Sequence, residues 1–222
     1  MIPASLPEPY LVVCEGKSDA SFLKHLLRER GRAGFDFAYP GQAEGGYGKD
    51  SLYTVFNALE VLEPAVSQLQ AIVVVVDSDR NPATALASAR NQLARTQVPY
   101  GVPEDFHVAA RTPDKPPVII SAIPAINEPG NLETLLLRSI APHWNDIDIC
   151  LEDYYNCSPA GTWNDLNKQS KMKMQCVIAA MCADDPCCSV AYIWKYATFT
   201  GLLRQRCFDH IVDFFDRVPT LL

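Results

Sequence analysis

The sequence predicts an α/β protein, with a mainly parallel, doubly wound sheet followed by a C-terminal helical cap. Two continuous apolar runs, Tyr10 to Cys14 and Ala71 to Val76, carry that expectation first. Strands buried on both faces of a parallel sheet read as unbroken hydrophobic stretches. The second observation is that segments of helical period alternate with these runs, as crossover connections between parallel strands require. The third is that both runs end in acids, Glu15-Gly16 with Asp19, and Asp77-Ser78-Asp79. The carboxyl ends of such strands are where open α/β sheets place ligand and metal chemistry.

Each element follows in turn. After the first strand, Gly16 permits a tight turn, Ser18 is the expected helix cap, and Asp19 suits the positive first turn. Phe22, Leu23, Leu26 and Leu27 form one apolar face before Gly31 stops the helix. Phe35 to Tyr39 reads as a strand, and the glycine-rich stretch Gly41 to Lys49 as a flexible connection matching neither a phosphate loop nor a dinucleotide fingerprint. Leu52, Val55, Phe56, Leu59 and Leu62 make a helical stripe leading to the second acidic strand. Pro82 opens a helix to about Arg95, since proline suits a first turn. Phe106 to Ala109 and Val118 to Ile123 read as strands separated by the proline-rich Arg111 to Pro117, and Pro129-Gly130-Asn131 introduces a helix carrying Leu132, Leu135, Leu136 and Ile140. These elements assign residues 8–141 to an α/β domain. Residues 142–222 read as a helical, cysteine-rich cap, in which Met174, Val177, Ile178 and Met181, and then Phe208, Ile211, Val212 and Phe215, fall at helical spacing.

Composition bounds the function. A chain of 222 residues with 48% hydrophobic content can bury a full core. No apolar run reaches the roughly 20 residues of a membrane span, and the first residues lack the features of a secretory signal, so a cytoplasmic protein is expected. Of eight cysteines, seven follow residue 149, without the paired spacing of a zinc ribbon. They read as buried free thiols, with a zinc site from Cys182, Cys187 or Cys188 and His210 as the lesser alternative. A net charge of −7 does not advertise nucleic acid over the whole surface, and the basic stretches Lys24 to Arg32 and Lys168 to Lys173 read as solvated helix faces.

Glu15, Asp77 and Asp79 converge on one crevice if their strands are neighbours. Carboxylates so close raise one another's proton affinity unless a cation neutralises them. Oxygen-only ligands select a hard ion, Mg2+ or Mn2+, which keeps bound waters and recruits substrate phosphates. Asp77 and Asp79 also leave open a phosphatase of the haloacid-dehalogenase kind, with Asp77 as nucleophile and Asp184-Asp185 as a later acidic motif.

The strand-ending Glu15-Gly16, followed by Asp19, and the second strand ending in Asp77-x-Asp79 resemble the TOPRIM domain shared by topoisomerases, primases and small nucleases. The likeness covers about residues 8 to 140. The chain is most similar to a small stand-alone member or to the overcoming-lysogenisation-defect (OLD) nucleases. The resemblance implies a TOPRIM/Rossmann-like sheet and Mg2+ held by Glu15, Asp77 and Asp79, with Asp19 serving a second metal position. Glu133, in the helix after a late strand, is a further candidate ligand on the same resemblance. Those nucleases also use a lysine downstream of the acids. Lys171 and Lys173, by helical steps from Ile178 and Val177, extend the apolar side of their helix and suit that role, as does Lys195. The implied activity is metal-dependent nicking or cleavage of nucleic acid, with DNA as the expected partner. A non-catalytic nucleic-acid- or nucleotide-binding role within a larger defence or regulatory assembly is the remaining alternative.

Overall fold

A computed structural model describes residues 5–41, 51–144 and 146–222. Five strands form one sheet in the order β2-β1-β3-β5-β4: β1 (Tyr10–Cys14), β2 (Phe35–Ala38), β3 (Ala71–Asp77), β4 (Ala110–Thr112) and β5 (Lys115–Ile123). Neighbours are parallel except β4, which runs antiparallel to β5. The helices are α1 (Lys17–Glu29), α2 (Leu52–Leu59), a short α3 (Glu63–Val66), α4 (Pro82–Ala94), α5 (Leu132–Ile140), α6 (Ile147–Cys157), α7 (Leu166–Met181), α8 (Ala197–Leu202) and α9 (Asp209–Arg217). The expected doubly wound α/β fold with C-terminal helices is thus present. The glycine-rich stretch falls from residue 42 onward outside the described residues.

Strand alternation sends side chains into two separate cores. Val12, Cys14, Val73, Val75, Ile119 and Ile123 pack under α1, α5 and the C-terminal helices, whereas Leu11, Val13, Ile72, Val74, Ile120 and Ala122 pack under α2 and α4. A sheet covered on both faces explains why the central strands β1 and β3 are apolar along their length until Asp77. The C-terminal helices complete the first core rather than standing apart from it. Phe22 of α1 meets Trp194 and Phe208 at ring separations of 5.7 and 5.4 Å, and Phe35 meets Phe215 at 5.2 Å. Arg30 fastens the same contact, donating to the carbonyls of Leu203 and Gln205 at 2.8 Å each and to Asp209 at 2.9 Å. Arg32 binds Asp216 through two bonds of 2.6 Å. The basic stretch ending at Arg32 is therefore partly a clamp, not only a solvated face.

Three local expectations need correction. Ser18 lies inside the first turn of α1, and extended Gly16 occupies the cap position without a side-chain bond. Residues Phe106 to Ala109 form no strand, while the proline-rich segment expected to separate two strands instead holds a hairpin between β4 and β5. Asp114, with φ 61, makes its turn, and Pro116 and Pro117 precede the part of β5 that pairs with β3. The cysteines, all free, are not uniformly buried: Cys14, Cys182 and Cys188 are, but Cys150, Cys157 and Cys187 are exposed. No helix among the described residues is long and apolar enough to cross a membrane.

Helix α5 begins at a capping box. The Asn131 side chain accepts from the Thr134 amide at 3.0 Å, and the Thr134 hydroxyl faces the Asn131 amide at 3.4 Å. Ser170 of α7 donates to the same Asn131 oxygen at 2.9 Å, which ties α7 to the start of α5. Asn131 is fully buried, whereas Asn81, the cap of α4, is exposed. Asn131→Ala is expected to lower unfolding free energy by about 2 kcal/mol, at the upper end for a lost cap. Asn81→Ala is expected to cost about 1 kcal/mol or less. Urea denaturation of both variants checks this, and equal losses would show that the link to Ser170 contributes nothing.

Candidate metal centre

Parallel pairing of β1 with β3 sets Cys14 opposite Val75, so the two chains leave the sheet at the same end. Glu15 follows β1, Asp19 lies in the first turn of α1, Asp77 ends β3, and Glu133 lies in the first turn of α5. These four acids line one cleft of about 440 Å3, together with Lys17 and with Lys171 from α7. Gly16 makes the close approach possible: a Cβ there would meet the Asp19 carboxylate at 3.3 Å.

The cleft disfavours full ionisation. Burial pushes the Asp77 carboxyl well up, and Asp19, Glu15 and Glu133 add repulsion against the opposing pull of Lys171. This holds although Asp77 accepts a bond of 3.2 Å from the Leu132 amide, at the positive end of α5. Asp19 is pushed up to about 7, by burial first and by Glu133 next, while the amides of Asp19 and Gly16 and the Lys171 charge work the other way. Burial also raises Glu133, again with Lys171 opposing. The buried Cys14 thiol beneath is raised by burial, Asp19, Glu15 and Asp77. Lys171 is the cation that acts on all three raised carboxyls. Such a cleft favours uptake of a proton or a cation.

Of the residues singled out from the sequence, Glu15, Asp19, Asp77, Glu133 and Lys171 thus come together, and Asp79 and Lys173 do not. Two residues along an extended strand share a face, but β3 ends at Asp77, and Asp79 has φ 50. The Asp79 carbonyl accepts from the Gly130 amide at 2.6 Å, and its carboxylate accepts from Asn167 of α7. Asp79 consequently lines a different cleft with Arg80, Asn81 and Asn167. Lys173 lies two residues from Lys171, roughly 200° around the helix. It pairs with Glu152 at 2.7 Å and lies over the ring of Tyr155. Lys195 pairs with Asp185 at 3.3 Å. His210 sits 2.6 Å from the Pro124 carbonyl, away from the zinc grouping considered for it. Among the described residues, no three His, Cys, Asp or Glu side chains are gathered closely enough to form a ready-made metal cage.

Sequence reasoning missed Asn167. It stands four residues before Lys171, so one face of α7 meets Asp79 with one residue and the acidic cleft with the next. A helical step back from Lys171 would have found it. Ser189 and Ala191, which complete the cleft wall, carry no local signal, although the Ser21 hydroxyl donates to the Ala191 carbonyl at 2.7 Å and fixes that wall to α1.

Hypothetical protein PH0156 from Pyrococcus horikoshii OT3 has a crystal structure that aligns with 96% of this chain and 98% of its own, at 17% identity and a TM-score of 0.47. No curated protein matches the chain significantly. A family model described as "Protein of unknown function (DUF3226)" matches residues 9–214, so the chain belongs to the DUF3226 family.

Proposed function

We propose that the acidic cleft carries out metal-dependent phosphodiester chemistry on nucleic acid, in the manner of a TOPRIM-like nuclease. The observation that carries the reading is the convergence of Glu15, Asp19, Asp77 and Glu133 with Lys171 at the carboxyl ends of β1 and β3. A hard divalent cation fits these residues. Their donors are all carboxylate oxygens, and burial raises the proton affinities of Asp19, Asp77 and Glu133, with repulsion from neighbouring carboxylates adding at Asp19 and Asp77. Mg2+ does not need a closed protein cage, because it keeps several waters and is held by one or two carboxylates plus substrate phosphate.

One or two of Glu15, Asp19, Asp77 and Glu133, which line the cleft together, would hold the ion. When bound, it supplies Lewis acidity to a phosphoryl oxygen and makes water more acidic. Lys171 contributes a fixed positive charge that stabilises the developing charge on the phosphate. The Leu132 amide holds Asp77 in place from the start of α5.

Plasmid nicking in Mg2+ or Mn2+ tests this reading. Glu15→Gln and Asp77→Asn are expected to lower the rate by about a hundredfold or more, and Lys171→Met by a similar factor. Asp79→Asn, outside the cleft, is expected to cost less than about tenfold. Activity unchanged by Glu15→Gln or Asp77→Asn overturns the assignment. Tight nucleic-acid binding that survives EDTA without turnover favours a non-catalytic role.

The carboxyls also set a pH dependence. A raised folded-state pKa gives stability that is complete below the unfolded value near 4 and is lost as pH rises through the folded value, about 7 for Asp19. In EDTA the melting temperature is therefore expected to fall between pH 5 and pH 8, and Asp19→Asn to flatten that fall. Mg2+ competes with protons for the same oxygens, so the stabilisation it gives is expected to be larger at pH 8 than at pH 5. Thermal scans at both pH values check each statement, and an equal Mg2+ effect at the two would count against ion binding by these carboxyls.

A further inference from the structure

A second cavity, of about 600 Å3, opens between β5, the loop after it, α5 and α9, away from the acidic cleft. Its volume lies within the range of small-molecule sites. Within it, His107 stacks on Phe214 with ring centres 4.1 Å apart and planes 19° from parallel. His107 Nε2 lies 3.0 Å from the hydroxyl of Ser121, a buried polar residue on the face of β5 that otherwise presents Ile119 and Ile123 to the core. His107 is held there with φ 61, its amide donating to the Ile120 carbonyl at 2.9 Å. The remaining wall is largely apolar, with Leu135 and Ile211 inside and Ile126 at the rim.

Charge at the mouth is distinctive for a chain of net charge −7. Glu128 is neutralised by Arg138 at 2.6 Å, which leaves Arg217 as the net charge of the lining. The side chain of Arg217 touches its own helix through a bond of 3.3 Å from Nε to the Asp213 carbonyl. Neighbouring Asp216 is already engaged by Arg32. The Arg217 charge reaches the cavity interior: after burial, it is the second cause that lowers His107 to about 4, with Asp105 pulling the other way. His107 is consequently neutral near pH 7 and can stack as an aromatic ring.

We propose that this cavity binds a small aromatic carboxylate, its ring packed against His107, which Phe214 backs, and its anionic group paired with Arg217. A flat apolar body matches the face of the His107 ring, and one negative charge matches the Arg217 guanidinium, which has Asp213 and Asp216 on its outer side and the cavity on the other. Ser121 and His107, having satisfied each other once, retain hydrogen-bonding capacity for a polar ring substituent. This site stands on different residues from the acidic cleft and does not depend on its chemistry.

Calorimetric titration of the full chain with 2-naphthoate, and with 2-naphthalenemethanol as the neutral counterpart, tests the proposal. The carboxylate is expected to bind about tenfold or more tightly than the alcohol, the worth of one charge-assisted hydrogen bond. Arg217→Gln removes the charge and Ile126→Glu adds a like one at the rim. Both positions are exposed, Ile126 at 37%, so both variants are expected to melt as the parent does while losing about tenfold in affinity. Equal binding of acid and alcohol, affinity unchanged in both variants, or no binding of 2-naphthoate overturns the proposal.

Discussion

Parallel pairing between β1 and β3, from Tyr10 opposite Ala71 to Cys14 opposite Val75, fixes the relation of almost everything else. Because the two strands run the same way in register, their acids emerge at one end of the sheet. Both strands are buried on each face, which commits α1 and α5 to one side and α2 and α4 to the other. A slip of one residue would exchange the two faces of β3 and carry Asp77 away from α1 and α5. The apolar alternation of Ile72, Val73, Val74, Val75 and Val76 therefore specifies the geometry of the acids as well as the core.

Electrostatics and packing work against each other at this end of the sheet. Asp77 is placed by a strand and held by an amide of α5, Asp19 is held by the start of α1, and neither can retreat into solvent without undoing those contacts. The backbone thus holds together carboxyls that repel, with one lysine of α7 as partial compensation. Burial and repulsion of this kind raise the affinity of the carboxyls for protons. That Lys171 arrives from the C-terminal helices, through an α7 tied to Asn131 by Ser170, makes those helices part of the site's construction.

Much of this was legible in the sequence because it rests on local periodicity. Two uninterrupted apolar runs announce central parallel strands, and the acid at the end of each is positioned by the strand itself. Helical steps from buried Ile178 likewise point to Lys171. What was not legible depends on departures from regular backbone. Asp77-x-Asp79 reads as a pair only while the chain stays extended, and a single positive φ at Asp79 sends its carboxylate to Asn167. The hairpin of β4 and β5 escaped because its turn, at Asp114, lies in a proline-rich stretch that reads as irregular. Lys173 was misread because two residues along a helix nearly reverse its facing.

The second cavity was illegible for a different reason: His107, Ser121 and Phe214 meet only in three dimensions, and each alone reads as ordinary core or loop. Its connection to the acidic cleft is nevertheless short in the chain. The segment from Pro124 to Leu132 carries Ala125, Ile126 and Glu128 on the cavity. Its next residues give Gly130, whose amide binds the Asp79 carbonyl, and Leu132, whose amide binds Asp77. The Ser78 hydroxyl, between the two aspartates, donates to the Ala125 carbonyl at 2.8 Å. Gly130, at φ 135 and with Thr134 and Pro124 crowding the place of a Cβ, leaves this segment little freedom to absorb a displacement locally. One short loop thus lines the cavity with its first half and holds Asp77 and Asp79 with the amides of its second.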